Sequence, residues 1–205
     1  MSNTTTVHIL RHGQALHNVD RHHREPDPPL TNLGIQQAEA LNLSFLPDVV
    51  VVSPMIRTIE TAYYVLRGKP CKVLIWPDLR EAHDAICNKG SPRIDLINRY
   101  PDLDFSECSS VWDYEKHTSE NAHLRASRVR LRLESLGKDY ANILVVTHRG
   151  FIAHLVAGTT FFNCEMRSYH FISTTEYIRE NENGILQDFA PHALDQEAVE
   201  QEAEL

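Results

Sequence analysis

Two short runs, Val49-Val50-Val51-Val52 and Ile143-Leu144-Val145-Val146, are apolar at every position. A strand with one wet face alternates in polarity, so a strand without alternation must be covered on both faces, as inside a mainly parallel sheet. Parallel neighbours cannot be joined by a hairpin; the chain between them has to cross over the sheet, usually as a helix. Such segments are present. After Thr31, a good helix cap, Leu30, Gly34, Ala38, Leu41 and Phe45 recur every three or four residues up to Pro47. Met55 to Leu66 repeats that spacing with Ile59, Ala62 and Leu66, and Val73 to Trp76 follows as a strand after a turn at Gly68 and Pro70.

Thr6 to Leu10 reads as the first strand, Glu120 to Leu136 as an amphipathic helix stopped by Gly137, and Phe151 to Ala157 as a further helix. Arg125, Arg128, Arg130 and Arg132 are read as a solvated face of the long helix. Residues 91–118 are irregular, an insertion expected near the ligand end. Arg167 to Ser173, Thr175 to Arg179 and Ile185 to Phe189 read as closing strands, with Asn183-Gly184 a hairpin turn. The expectation is a three-layer α/β/α sandwich with a mainly parallel sheet and an antiparallel strand near the C-terminus. One domain is expected over residues 1–190, followed by an acidic tail, 191–205.

The 205 residues carry a net charge of −8, which disfavours general nucleic-acid binding, because phosphate backbones reward basic faces. Any anionic ligand must be held by a local cluster. No apolar stretch reaches the length of a membrane span. The N-terminus does not read as a secretory signal, and Cys71, Cys87, Cys108 and Cys164 are scattered without a C-x-x-C pair. Reduced thiols in the cytoplasm are expected, the nucleus also being compatible. Oligomeric state is not set by any feature of the sequence.

The chemistry concentrates at strand ends. Arg11-His12-Gly13 closes the first strand, Ser53-Pro54-Met55-Ile56-Arg57 follows the valine run, and Thr147-His148-Arg149-Gly150 follows the later apolar run. Open α/β sheets bind ligands outside the carboxyl ends of their strands, so two arginines and two imidazoles would meet there. Guanidinium groups fit phosphate geometry, and a neutral imidazole is a nucleophile.

Arg11-His12-Gly13 with Asn18, then Asp27-Pro28-Pro29-Leu30-Thr31-x-x-Gly34-x-x-Gln37-Ala38, then Ser53-Pro54-x-x-Arg57-x-x-x-Thr61, with Leu79-Arg80-Glu81 and Val146-Thr147-His148 further on, resembles the histidine phosphatase superfamily, also called phosphoglycerate mutase-like. The resemblance implies that fold and a phosphomonoester hydrolase without a cofactor. It implies His12 as a nucleophile forming phosphohistidine, Arg11 and Arg57 as phosphate ligands, His148 as a second catalytic histidine that adds a donor when protonated or in the right tautomer, and Glu81 as the acid and then base. Asn18 would contact phosphate or orient a ring. Asp84 is the alternative acid, and either carboxyl needs a raised pKa to donate.

Gly13 and Arg149 are further candidates for substrate binding; Arg149 stands where many family members carry a small residue. The segment from Glu81 to Ser91 departs from the spacing of phosphoglycerate mutases and is more similar to a eukaryotic branch of the superfamily. A mutase-type phosphoryl transferase and a noncatalytic phosphate-binding scaffold are the alternatives. The expected partner is a phosphorylated small molecule or a phosphopeptide. His17, His22 and His23 lack the spacing of a metal-ligand set, so no metal is expected, and they are read with Arg21 and Arg24 as a loop at the pocket entrance. His154 reads as a core residue.

Overall fold

The computed structural model describes residues 5–20, 22–112, 117–171, 177–180 and 186–188. The elements in chain order are β1 (Thr6–Arg11), α1 (Leu16–Val19), α2 (Asn32–Ala40), β2 (Val49–Val52), α3 (Ile56–Leu66), β3 (Lys72–Ile75), α4 (Arg93–Arg99), α5 (Ser119–Leu136), β4 (Asn142–Thr147), α6 (Arg149–Leu155), β5 (Met166–Phe171), β6 (Tyr177–Glu180) and β7 (Leu186–Asp188). Short 3₁₀ turns cover Pro77–Leu79 and Ile86–Asn88. The sheet order is β3-β2-β4-β1-β5-β6-β7. The first four strands in that order run parallel, and β5, β6 and β7 extend the sheet antiparallel.

The unalternating runs are the central strands, and period two sorts their side chains into two cores. Val49, Val51, Ile143 and Val145, with Val7 and Ile9, pack under Ala126, Val129 and Leu133 of α5 and Phe151, Ile152 and Leu155 of α6. Val50, Val52, Leu144 and Val146, with Leu10, face Ala38 of α2 and Ile59, Ala62, Val65 and Leu66 of α3. Each fully buried aliphatic side chain contributes roughly 1.5–3 kcal/mol, so β2 and β4 anchor both layers.

Several expectations shift. The helix after Thr31 stops at Ala40, because Leu41 takes an extended backbone (φ −69°, ψ 110°), and Phe45 instead stacks on His8 with ring centroids 3.6 Å apart. Asn42 and Ser44, whose side chains compete for backbone hydrogen bonds, disfavour its continuation. Residues 91–118 contain α4, which follows Pro92 and buries Leu96. Phe105 and Cys108 beyond it are buried in the core facing α3.

The arginine run on α5 is not uniformly solvated. Arg128 is exposed and pairs with Asp78, but Arg125 is buried. The antiparallel extension is larger than the one strand expected. Asn183-Gly184, Arg21 and the tail at 191–205 lie outside the described residues. No helix among the described residues is long and apolar enough to cross a membrane, and all four cysteines are free thiols.

Candidate active site

β1, β4 and β2 are adjacent and parallel, so their carboxyl ends open on one edge. The ladder continues just past them: His12 N–H donates to Thr147 O at 3.0 Å and Ser53 N–H to Val146 O at 3.1 Å. His12 and His148 therefore leave the sheet side by side, with ring centroids 5.2 Å apart. Gly13 then passes against α2, where a Cβ would lie 2.6 Å from the carbonyl oxygen of Gly34. Its N–H donates to Thr61 Oγ1 at 3.0 Å. Gly13 is thus required by close backbone packing.

The His12 tautomer follows from one bond. Nδ1 lies 2.7 Å from the carbonyl oxygen of Gly13, which can only accept, so Nδ1 carries the hydrogen and Nε2 keeps its lone pair. Burial, then the charges of Arg57 and Arg11, hold the His12 pKa well below the ordinary histidine value. The ring is neutral near pH 7, with Nε2 nucleophilic.

His148 is also buried, and burial and Arg57 hold its pKa well below the ordinary histidine value, so without substrate the ring is neutral. Its Nε2 sits 2.9 Å from Ser53 Oγ. If that hydroxyl donates, the ring hydrogen lies on Nδ1, a buried atom with no protein hydrogen-bond partner among the described residues.

Arg57, on the first turn of α3, is fully buried and turned toward the 82–90 loop: Nη1 donates to Cys87 O at 3.1 Å and Nη2 to Asn88 Oδ1 at 2.9 Å. Asn88 Nδ2 donates in turn to His83 O at 3.0 Å. Arg11 Nη1 donates to Phe161 O at 2.7 Å. Burial, then the nearby Arg149, bring the Arg11 pKa down to about 10, leaving it a cation at neutral pH.

Glu81 follows the Pro77–Leu79 turn and sits at the start of α6. Oε1 accepts from Ala82 N at 2.6 Å and Phe151 N at 2.9 Å, and Oε2 from Gly150 N at 3.2 Å. Burial pushes the Glu81 pKa up, but the His83 charge, the backbone donors and Arg57 together outweigh it. The net position is below the ordinary glutamate value, contrary to the rise expected for an acid; without substrate Glu81 is a carboxylate. A Cβ on Gly150 would lie 2.4 Å from Glu81 Oε1 and 2.5 Å from His83 Nδ1, so the glycine makes room for both. Asp84 is exposed and pairs with Lys89 at 2.7 Å.

Arg149, half-buried at the head of α6, acts on both Arg11 and Glu81 through its charge. Asn18 is exposed at the rim, where its Oδ1 accepts from Ala15 N at 3.0 Å and Asn163 Nδ2 at 3.3 Å. Its Nδ2 faces His17 Nε2 at 3.2 Å, so it orients a ring.

Some supports carry no sequence expectation. Arg125 donates to the carbonyls of Asp78, Arg80 and Glu81 at 2.7–3.1 Å, fixing the backbone that presents Glu81. Asn163 Nδ2 donates to His12 O at 3.2 Å. Arg125 falls on the spacing of the buried Ala122, Ala126, Val129 and Leu133, a signal the arginine run conceals.

A three-layer sandwich whose parallel strand ends gather two arginines, two neutral histidines and a buried carboxylate is an α/β site for an anionic group. The sequence pattern of the histidine phosphatase superfamily (branch 1) matches residues 7–182, and the chain belongs to that family. It is 31% identical over 158 residues to the adenosylcobalamin/alpha-ribazole phosphatase of Escherichia coli, covering 73% of this chain and 76% of that protein. A Schizosaccharomyces pombe protein described as a probable phosphatase is 36% identical over 114 residues. The matched segment spans 50% of this chain and about half, 53%, of the yeast protein.

Among solved structures, the alpha-ribazole phosphatase of Shigella flexneri superposes with a TM-score of 0.63 at 22% identity, covering 93% of this chain and all of that one. An Entamoeba histolytica phosphoserine phosphatase variant with phosphoserine bound gives a TM-score of 0.60 at 18% identity, covering 86% of this chain and 95% of that one. These likenesses are of fold.

Proposed function

We propose that the protein hydrolyses phosphomonoesters through a phosphohistidine on Nε2 of His12. The observation that carries this reading is the Nδ1 bond to Gly13 O at 2.7 Å, which fixes the nucleophilic tautomer of a buried ring between two arginines. A phosphate monoester repels nucleophiles until its oxygens are neutralised, and Arg11, Arg57 and Arg149 supply positive potential around His12.

His12 Nε2 attacks phosphorus in line as the bond to the ester oxygen breaks, and the leaving alkoxide takes a proton from Glu81. Glu81 must first gain that proton from solvent. An entering phosphate brings up to two negative charges beside the carboxylate and raises its pKa, so the substrate arms its own acid. The Glu81 carboxylate next removes a proton from water, the water oxygen attacks the phosphohistidine, and inorganic phosphate leaves with His12 neutral again.

Small phosphorylated molecules are the substrate class that best fits the buried reacting groups. The phosphoserine and 3-phosphoglyceric acid seen with the Entamoeba histolytica protein belong to that class. Rapid quench with a ³²P-labelled alkyl phosphate tests the reading. An acid-labile protein adduct and released phosphate are expected from wild type; absence of both across phosphorylated metabolites and phosphopeptides refutes hydrolysis by this route.

A further inference from the structure

His17, on the four-residue helix α1, carries a donor that no group among the described residues uses, and its tautomer is fixed by a chain of obligatory hydrogen bonds. The N–H of Ala15 can only donate, and it reaches one end of the Asn18 side-chain amide at 3.0 Å, so that end is the oxygen. The other end is therefore the NH₂, and it faces His17 Nε2 at 3.2 Å. An NH₂ group donates, so Nε2 accepts and the hydrogen of a neutral His17 ring lies on Nδ1. Burial and the charges of Arg57 and Arg11 hold the His17 pKa down to about 3, so the ring is neutral at working pH.

Nδ1 is enclosed and has no protein hydrogen-bond partner among the described residues. A buried N–H left unsatisfied costs on the order of 1–3 kcal/mol, and such groups persist where a ligand supplies the partner. The ring centroid is 5.9 Å from that of His12. Arg11, Arg57 and His23 act on His17 through their charges, and His17 acts on His12 and His148 in the same way, so it stands within the same cluster.

We propose that His17 is a phosphoryl ligand, its Nδ1–H donating to a nonbridging oxygen of the group held before His12. This rests on the phosphoryl-transfer reading of the site and adds a neutral donor to the cationic clamp. Asn18 is then a positioning residue whose amide keeps the donor on the correct ring nitrogen. A neutral donor contributes most where oxygen charge is drawn toward it in the trigonal-bipyramidal arrangement, and it adds no ionisation near neutral pH.

Orthovanadate, which adopts that arrangement, is the probe, with inorganic phosphate as the ground-state comparison. An asparagine side chain can place an N–H near the position of histidine Nδ1, whereas glutamine extends its amide toward the position of Nε2. His17→Gln is expected to weaken vanadate binding on the order of 10²-fold and phosphate binding less, while His17→Asn retains affinity to within about threefold.

In ¹⁵N-edited spectra of the wild type, Nδ1 of His17 is expected to be protonated and to shift on adding vanadate. Equal losses in the Gln and Asn variants, no loss in the Gln variant, a hydrogen on Nε2, or no binding of vanadate by wild type would overturn the proposal. Vanadate binding is read without turnover, so a protein that binds vanadate through His17 yet releases no phosphate from esters would refute the hydrolase reading and leave the ligand assignment standing.

Discussion

His12 and Glu81 are both buried and both held by backbone groups, but a strand ladder presents one and a helix start holds the other. On the nucleophile side, His12 and His148 are the first residues beyond β1 and β4, and the register of those strands fixes their spacing. On the acid side, Glu81 lies in irregular chain, fixed by Arg125 below and by Gly150 and Phe151 in front. The first arrangement gives a neutral nucleophile at rest. The second gives a carboxylate at rest, which on the proposed mechanism has to gain a proton before it acts, so there only the acid side depends on what enters the pocket.

Removing the proposed nucleophile should have the largest effect. His12→Ala is expected to lower kcat on the order of 10⁴-fold or more and to abolish the acid-labile adduct, checked by rapid quench. Retention of the adduct would move the nucleophile elsewhere and dissolve the contrast. Arg57 both acts on His12 by its charge and holds the 82–90 loop by hydrogen bonds. Arg57→Lys keeps the charge but loses the fork, and kcat/KM is expected to fall roughly 10²–10³-fold.

Glu81→Gln isolates the acid side. It is expected to slow alkyl phosphates about 10²-fold and activated aryl phosphates only about threefold, because a good leaving group needs no proton. In wild type, kcat with alkyl phosphates is expected to fall as pH rises through the pKa of Glu81 in the substrate complex. That basic limb should be absent with Gln, and its survival in a pH profile would assign the acid elsewhere. Gly150→Ala tests the same side sterically: the methyl group would fall 2.4 Å from Glu81 Oε1. A cost of about 1–3 kcal/mol in urea denaturation is expected, with impaired turnover of alkyl phosphates.

The two sides also differ in how far they could be read from residues alone. Arg11, His12, Arg57 and His148 occupy ends of regular elements, and unalternating valine and isoleucine runs announce those elements before any contact is known. The location of Glu81 was legible, but its charge state was not. That state depends on which backbone N–H groups converge on it, and these come from Ala82 and from residues about seventy positions away. The burial of Arg125 is hidden for the same reason, since its partners are carbonyls more than forty residues distant. The donor on His17 needed the direction of the Asn18 amide, which no spacing contains.

His8 supplies the control for these arguments, because it is a buried histidine within β1 rather than at its carboxyl end. It stacks on Phe45 at 3.6 Å and its Nδ1 lies 2.8 Å from Ser168 Oγ. Burial lowers its pKa from 6.5 to about 4, the same direction found for His12, with no nucleophilic role implied. In the folded protein His8 stays neutral until about pH 4, whereas the unfolded chain takes up its proton near pH 6.5. The associated stability is therefore present above pH 6.5 and is lost as pH falls toward about 4. His8→Asn, which cannot ionise, is expected to remove about 1–3 kcal/mol of the decrease in unfolding free energy between pH 7 and pH 4.5, measured by urea titration at each pH. An unchanged decrease would show that His8 is already protonated in the fold. A depressed histidine pKa thus reports burial in either place; at His12 the proposed nucleophilic role rests on the Gly13 carbonyl, which fixes the tautomer, and on the flanking arginines.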